Sequence, residues 1–410
     1  MTHHVGPDTG KGYGSQYFRY ITARASAGVA LQMTGVAVGW HVYDMTGRAL
    51  DLGLVGLAQF LPSIMLILLA GHAADRYNRQ RIITMAQSGM VVILAVIASG
   101  AAMGLLGRDS LLGLLFLFGI ARTFDYTTSQ TIIPSLVPRE ILPRALALGS
   151  SVRQGAIIAG PLLGGLLYLL GPAVVYGVSS LLFAVSAVLV ASLQLSGPPQ
   201  KREPLSFKSV FDGIAYIRNQ PVILGAISLD LFAVLLGGAT ALLPIYARDI
   251  LFTGSWGLGL LRAAPAAGAL LTSIYLARSP LRRHVGRIMF SAVIIFGLAT
   301  VLFALSRSMT LSFLALLILG GADMVSVVIR SSLIQLETPD AMRGRVSAVN
   351  AIFIGSSNEL GEFESGVTAA WFGVVPAAVI GGAGTLVVAL LWMKLFPALL
   401  QREQLRTGQM

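Results

Sequence analysis

The chain of 410 residues contains no cysteine and few charged side chains. Without cysteine it forms no disulfide bond and has no thiol nucleophile. The histidines, listed in order, are His3, His4, His41, His72 and His284. They are scattered and lack the spacing of metal ligands, and charged residues make up only 11% of the chain, against about 25% in soluble domains. These shortages argue against a metal site, thiol chemistry and an ordinary soluble protein.

Nucleotide-binding motifs are also missing. The glycine-rich stretch "GLGLLRAAPAAG" follows no strand pattern, and the sequence contains no G-x-x-x-x-G-K-[ST] run. We therefore predict no enzymatic activity, no cofactor and no bound metal. Energy for any work must come from an ion gradient or from the gradient of a substrate.

Long apolar runs are abundant. Hydrophobic residues make up 55% of the chain and the mean hydropathy is +0.78, and a membrane span needs about 20 apolar residues. The runs lie at residues 20–43, 53–74, 82–104, 111–136, 145–170, 173–195, 221–247, 256–277, 287–306, 310–336, 342–370 and 374–396. The sequence predicts an all-α membrane protein with twelve transmembrane helices, the first of which we expect to be a span and not a signal peptide.

Basic residues predict the orientation of these spans. Of the 29 lysines and arginines, 20 fall on the side that holds both termini and four on the other. Since Lys and Arg in short loops stay in the cytoplasm, we expect cytoplasmic termini and a bacterial inner membrane. The high pI is thus a property of topology and does not indicate nucleic-acid binding. The remaining five, inside spans, are Arg24, Arg122, Arg153, Arg262 and Arg330.

The two halves of the sequence repeat each other. "GLAQFLP" (Gly56–Pro62) matches "GLLRAAP" (Gly259–Pro265) at an offset of 203, and Gly119–Leu148 matches Gly320–Val349 at an offset of 201. We predict a six-helix bundle over residues 1–195, a cytoplasmic linker over 196–220 and a second six-helix bundle over 221–410. Apolar residues of the linker predict a helix on the membrane surface, namely Phe207, Val210, Phe211, Ile214 and Ile217.

The loop "GHAADRYNRQR" between spans two and three resembles the signature G-x-L-A-D-R-x-G-R-R/K of the major facilitator superfamily. Gly71, Asp75, Arg76 and Arg79 match, whereas Asn78 stands in place of the second glycine. The segments "HVYDMTGR", "RGRVSAV" and "NELGEFESG" resemble the branch with enterobactin-type siderophore exporters and related drug-efflux proteins.

That resemblance implies a cytoplasmic gate. In the superfamily the acid of this loop belongs to a latch against the other half in the outward-open state. Here the implied partner of Asp75 is the start of span eleven, which carries Arg343 and Arg345.

The fifth span contains "AIIAGPLLGG", which resembles the G-x-x-x-G-P-x-x-G-G signature of proton-driven antiporters. Gly160, Gly164 and Gly165 leave one helical face without side chains, and Pro161 adds a bend. Close packing of small residues, common in membrane helices, is the alternative interpretation.

Charges inside spans are the candidate site, because a charge at mid-membrane costs about 2.5–3.5 kcal/mol. Arg122 and Asp125 stand three residues apart on span four, and the resemblance links Arg122 to proton coupling. A static ion pair is the alternative. In span one, Arg24 and Gln32 lie on nearly one face and point toward a central cavity. Asp230 in span seven and Asp323 in span ten are further candidates; the alternative is that either acid only neutralises an arginine such as Arg262.

Span eleven carries three acids within six residues, and we expect at least one to take up a proton near neutral pH. Glu359 and Glu362 are predicted to carry protons or to bind a cationic group, with Asn358 beside them. One carboxylate is expected to pair with Arg330 or Arg153. The alternative is that Glu364, with or without a second acid of this span, reaches water and has no special role.

We predict a secondary transporter that works by alternating access and exports a small amphipathic compound in exchange for protons. The alternatives are an uptake symporter, a lipid or lysolipid flippase, or a membrane sensor without transport. The expected partners are a small molecule, protons and the bilayer, and we expect a monomer.

Overall fold

Long helices make up most of the chain in the computed structural model, which describes residues 14–138, 140–194, 207–279, 281 and 283–405. The first six are α1 (Ser15–Thr46), α2 (Ala49–Arg76), α3 (Arg79–Ala102), α4 (Arg108–Ser129), α5 (Leu142–Leu167) and α6 (Pro172–Ala191). The others are α7 (Pro221–Leu236), α8 (Gly254–Arg278), α9 (Val285–Leu305), α10 (Met309–Glu337), α11 (Asp340–Phe372) and α12 (Val374–Leu395). The prediction of an all-α membrane fold is confirmed.

Polarity separates three of these helices from the rest. Within the described part of the chain, nine helices are long and apolar enough to cross a membrane. The remaining three, α1, α4 and α11, have 32, 22 and 33 residues, lengths of roughly 48, 33 and 50 Å at 1.5 Å per residue. They carry the predicted site residues Arg24, Arg122 and Glu359. Polar side chains on these helices therefore coincide with the candidate site.

Local sequence explains the tight connections. Helix α1 ends at Gly47, which adopts the left-handed conformation (φ 62°) that glycine tolerates best. Helix α3 begins after Asn78, whose side chain accepts a hydrogen bond from the backbone N–H of Arg81 at 3.2 Å. The asparagine that departs from the loop signature thus caps a helix. Pro172 and Pro221 occupy the first positions of α6 and α7, where a missing N–H is tolerated.

The helices pack in two groups. Helices α1 to α6 contact mainly one another, as do α7 to α12. The extensive contacts between the groups are made by α5 with α8 and by α2 with α11. We call the groups the first and second halves.

The two halves meet on one side of the membrane and separate on the other. We call the side that holds the ends of α1 and α12 at Ser15 and Leu395 the terminal face, and the side that holds Thr46 and Phe372 the opposite face. One hydrophobic cluster combines both halves, with Tyr43 and Leu52 of the first and Tyr246 of the second, toward the opposite face. Toward the terminal face, each half forms its own clusters. A central space between the halves therefore opens to the terminal face.

Glycines let the halves approach each other at two related crossings. A Cβ on Gly165 of α5 would lie 2.5 Å from the carbonyl oxygen of Ser255 and 3.0 Å from Cα of Gly259 on α8. A Cβ on Gly366 of α11 would lie 2.8 Å from Cα of Gly53 on α2. Gly366 follows Gly165 by 201 residues, the offset of the second sequence repeat. Small residues bring helix backbones together in this way.

Span seven is not one continuous helix over residues 221–247 as expected. Helix α7 ends at Leu236, and a 3₁₀ turn (Ala239–Leu242), a short helix (Leu243–Ile245) and a π turn (Tyr246–Ile250) complete the span. Adjacent glycines Gly237 and Gly238 weaken the helix at the break, since glycine costs about 1 kcal/mol relative to alanine. A Cβ on Gly238 would lie 2.5 Å from the carbonyl oxygen of Gly361, so the close approach of α11 requires glycine at this position.

The linker contains the expected helix, at Phe207–Arg218. It packs on α11: Asp212 pairs with Arg345 at 3.1 Å, and a Cβ on Gly213 would lie 3.0 Å from the carbonyl oxygen of Arg345. Phe211 is 67% exposed whereas Ile217 is buried. Residues 196–206 of the predicted linker lie outside the described residues, as do several counted basic residues, namely Lys11, Arg139, Lys201, Arg202, Arg282 and Arg406.

Candidate functional site

One ion pair connects the halves at mid-membrane. Nη1 of Arg122 on α4 lies 3.7 Å from Oε1 of Glu359 on α11. The side chains keep 35% and 24% exposure, so both line the central space. A contact of this length is a loose ion pair, which can separate when the halves move. Arg122 and Glu359 are thus brought together, a pairing that the sequence alone did not indicate.

Glu362 and Arg262 extend this charged region. Oε2 of Glu362 would lie 3.2 Å from a Cβ on Gly56 of α2, so the carboxylate faces the first half. Nη1 of Arg262 on α8 would lie 3.1 Å from a Cβ on Gly35 of α1. The first half therefore meets two charged side chains of the second half where glycine leaves room. The sequence indicated Arg262 only as a partner for Asp230 or Asp323, although Gly35 and Gly39, four residues apart on α1, were a signal for a bulky neighbour.

Asp125 belongs to a network inside the first half. Nη1 of Arg24 lies 2.9 Å from its Oδ2, and Nε2 of Gln87 donates a 2.9 Å hydrogen bond to its Oδ1. Asp125 is 6% exposed and Gln87 is fully buried. The carboxylate is therefore held by α1 and α3, while Arg122, three residues earlier, faces the second half. Gln87 was not predicted.

Asp230 and Arg330 form a buried ion pair between α7 and α10. The expected partner of Asp230, Arg262, faces α1 instead, and Arg330 pairs with Asp230 and not with an acid of α11. The reason is register: α7 and α10 pack so that Asp230 lies opposite Arg330. Asp323 lines a small cavity beside this pair together with Ser326.

The other predicted residues occupy varied positions. The side chain of Gln32 packs over Gly160, where a Cβ would lie 2.4 Å from Cβ of Gln32. Asn358 donates a 2.8 Å hydrogen bond to the carbonyl oxygen of Ile354 on its own helix. Arg153 on α5 is exposed. Nearby, Nε2 of Gln154 donates a 2.9 Å hydrogen bond to the carbonyl oxygen of Ala266 on α8, a contact between the halves.

The predicted antiporter motif lies in packed contacts. Gly160 and Gly164 face α1, Gly165 faces α8, and Pro161 is buried. Gly361 of α11 faces the backbone of α7 in the way that Gly160 faces α1, again at an offset of 201. These glycines therefore have a packing role in both halves.

The predicted gate residues are apart in this conformation. Arg79 donates hydrogen bonds to the carbonyl oxygens of Ala74 at 3.3 Å and Thr131 at 3.4 Å, both in the first half. Arg343 pairs with Asp340 at 2.7 Å, and Arg345 pairs with Asp212 of the linker helix. The remaining gate residues line the first half at the terminal face, with Gly71 and Asp75 half-buried and Arg76 exposed.

A cluster on the opposite face joins the halves, and we call Tyr43, Asp44, Arg248 and Asp249 the clasp. Nη1 of Arg248 lies 2.9 Å from Oδ1 of Asp44 and donates a 3.4 Å hydrogen bond to the carbonyl oxygen of Tyr43. Its guanidinium carbon lies 5.6 Å from the centre of the Tyr43 ring, and the Tyr43 hydroxyl donates to Asp249. The π turn presents Arg248 and Asp249 to α1. The clasp was not predicted, although Arg248 is one of only four basic residues assigned to that side.

Comparison with known proteins agrees with this architecture. Residues 13–406 match the family model MFS_3, described as "Transmembrane secretion effector". The enterobactin exporter EntS of Citrobacter koseri is 30% identical over 397 residues, covering 93% of this chain and 92% of the exporter. The EntS of Escherichia coli O81 is 28% identical, covering 90% and 89%. A bacterial homolog of the human lysosomal transporter Spinster, crystallised in an inward-facing and occupied conformation, superposes with a TM-score of 0.74 at 13% identity, covering 96% and 98%. The chain is a multi-pass membrane transporter that belongs to the MFS_3 family of the major facilitator superfamily.

Proposed function

We propose that this transporter exports a small amphipathic compound, of siderophore or drug type, across a bacterial inner membrane in exchange for protons. Two relatives that match along almost their whole length are named enterobactin exporters. The observation that carries the coupling mechanism is the ion pair of Arg122 and Glu359, which spans the two halves at mid-membrane.

The central space is open at the terminal face, and we assign this conformation to the loading of substrate. With both termini in the cytoplasm, as the 20 to four distribution of basic residues favours, the central space opens to the cytoplasm. A compound made inside the cell then enters it directly, while the clasp closes the outer side. One chain holds both halves, so a monomer is sufficient.

The charges of the central space suit a compound with polar oxygen atoms on an apolar body. Arg122 and Arg262 supply guanidinium groups, which bind oxygen anions through paired N–H donors. The carboxylate of Glu359 binds either a proton or a cationic or hydroxyl group of the substrate. Substrate that loads from the cytoplasm displaces the proton, and a proton that enters from outside displaces the substrate. Because only one of the two occupies Glu359 at a time, their movements are coupled in opposite directions.

The loop that contains Asp75 resembles the superfamily signature, and this resemblance implies a second, outward-open state. When the outer side opens, we propose that the terminal face closes and that Asp75 meets the start of α11 near Arg343 and Arg345. Both arginines hold other acids in the present conformation, so closure requires them to change partners. A carboxylate at a helix N-terminus contributes about 0.3–1 kcal/mol, enough to bias such an equilibrium.

Transport into proteoliposomes tests the proposal. The purified chain is reconstituted, an inward or outward proton gradient is imposed, and accumulation of siderophores, cationic drugs and lysolipids is measured. We expect gradient-driven accumulation of a siderophore or drug, reduced at least about tenfold in Glu359→Gln, the loss of about 1.4 kcal/mol of coupling. Glu364→Gln is the matched control, because the Glu364 carboxylate accepts a hydrogen bond from Thr368 of its own helix at 2.6 Å.

Three outcomes contradict the proposal. If accumulation is independent of the proton gradient, transport is not coupled to protons. Movement of lysolipids alone makes the protein a flippase. Equal loss in Glu359→Gln and Glu364→Gln shows that the ion pair with Arg122 has no special role.

A further inference from the structure

We propose a second proton-binding site, distinct from the central ion pair, in which Asp323 carries a proton inside the second half. The site lies in a small cavity between α7, α9 and α10. It deepens the proton-coupled export proposed above and relies on that proposal only for its use in transport. The binding of the proton is a property of the protein without substrate.

The cavity has a defined polar end. Asp323, Ser326 and Arg330 follow one another at spacings of three and four on α10, so they share one face of the helix. Asp230 of α7 faces them and pairs with Arg330. The cavity has room for about one water-sized ligand, and Asp230, Asp323 and Ser326 are its polar lining residues.

Two polar groups at this site have unused hydrogen-bonding capacity. Ser326 is 3% exposed and its hydroxyl has no hydrogen-bond partner in the described structure. Arg330 is 1% exposed, and its Nε likewise lacks a partner there. Buried polar groups are normally paired. A small polar ligand in the cavity would satisfy the Ser326 hydroxyl, which lines it, and this points to a binding site and not to packing alone.

The charges of the cluster do not balance. Asp230 and Asp323 supply two negative charges and Arg330 supplies one positive charge. Within the membrane a net charge is costly, and charged residues there are expected to be paired or neutralised. Arg330 already pairs with Asp230. One further positive charge at Asp323 makes the cluster neutral.

Within the described residues, the surrounding elements offer no second cation in contact with this cluster. Helix α9 presents Ala292, Val293 and Phe296 to the cavity. Helix α8, which also packs on α10, directs Arg262 toward Gly35 of α1. Helix α11 directs Glu359 toward Arg122 of the first half. The missing charge must therefore come from solution.

A proton fits better than a metal cation. Only three side chains offer oxygen atoms to the cavity, and the neighbouring guanidinium of Arg330 would repel a fixed cation. A proton instead forms an O–H bond with a carboxylate oxygen of Asp323 and removes its charge. Asp323 is half-buried whereas Asp230 is 6% exposed, so Asp323 is the acid that water reaches.

Infrared difference spectroscopy of the purified full-length chain tests the site. Spectra recorded in acidic and alkaline buffer, without any substrate, show the carbonyl band of each carboxyl group that loses its proton. We expect one such component to disappear in Asp323→Asn and to shift in Asp323→Glu, which keeps the acid. Glu364→Gln is the matched control and should retain that component. In liposomes with a transported compound, Asp323→Asn should move one proton fewer per substrate while still exchanging substrate without a gradient.

The results that overturn the site are equally specific. An unchanged set of carboxyl bands in Asp323→Asn and Asp323→Glu shows that Asp323 binds no proton. Loss of the Asp323 band on addition of NaCl at constant pH shows that the ligand is sodium. If the wild-type chain transports no tested compound but the band is present and depends on Asp323, the proposed function fails and the site remains.

Discussion

Replacing Arg248 with alanine is expected to open the opposite face of the molecule. Arg248 is the only clasp residue that contacts both Asp44 and the Tyr43 ring, and these belong to the other half. Within its own half, Nε of Arg248 lies 3.9 Å from Oδ1 of the adjacent Asp249, a contact that joins no two helices. The variant therefore weakens the closed outer side with little effect on the packing of either bundle.

The size of the effect follows from the exposure of the contacts. The ion pair with Asp44 is half-exposed, at 39% and 52%, and such pairs contribute about 0.2–1 kcal/mol. The interaction of the partly exposed guanidinium with the buried Tyr43 ring adds about 0.5–1 kcal/mol. Together these give about 0.7–2 kcal/mol, which corresponds to a shift of about 3–30-fold toward the outward-open state.

The absence of cysteine from the chain makes the measurement direct. Spin labels at cysteines introduced at Leu50 and Phe252 report the distance between the halves on the opposite face, where both side chains are exposed. Pulsed electron paramagnetic resonance should show a larger population of long distances in Arg248→Ala. Arg307→Ala removes the same charge from the same face and is the control. A distance distribution identical to that of the parent protein would refute the role of the clasp.

Three further predictions concern other parts of the structure. Asp75→Asn should impair transport in proteoliposomes while the yield of folded protein, measured by size-exclusion chromatography, stays the same; normal transport would leave the loop a topology signal only. Gly165→Ala should lower the melting temperature by separating α5 from α8 at a cost of about 1–3 kcal/mol, whereas Gly177→Ala, where a Cβ meets nothing within 4 Å, should not, and equal melting temperatures would contradict the crossing. Arg24→Ala leaves the Asp125 carboxylate buried without its cation and should destabilise by about 3–5 kcal/mol, with recovery of folded protein in the double variant that also carries Asp125→Asn; no recovery would show that the two side chains act separately.

The sequence predicted the fold because apolar run length alone nearly determines a membrane helix. It did not predict the break after Leu236, because the helix that packs against this point, at Gly361, is distant in the sequence. The positions of the buried charges could be predicted because a charge inside an apolar span is costly, rare and therefore conspicuous in the sequence. Their partners were not, because register between helices decides that Asp230 meets Arg330 and that Arg122 faces Glu359.

Surface contacts were the least readable features. Arg248 and Asp44 resemble ordinary loop residues in the sequence, and only the π turn and the end of α1 bring them together. The docking of the linker helix on α11 through Asp212 and Arg345 was likewise missed. An amphipathic pattern predicts a helix with one apolar face, but it does not distinguish a membrane surface from a protein surface.

The glycine crossings suggest how the halves can turn without repacking. Where Gly165 meets Gly259 and Gly366 meets Gly53, backbone lies against backbone, and at the first crossing the Ser255 hydroxyl donates a 2.9 Å hydrogen bond to the carbonyl oxygen of Gly165. The two contacts are related by the sequence repeat and flank the central space, so a line through them forms a natural axis for rolling one half on the other. Rotation about this axis moves the two faces in opposite directions. Separation of the halves at the clasp is therefore expected to bring the loop at Asp75 closer to α11. We expect a local change at one surface to reach the other through these two crossings of helix backbone.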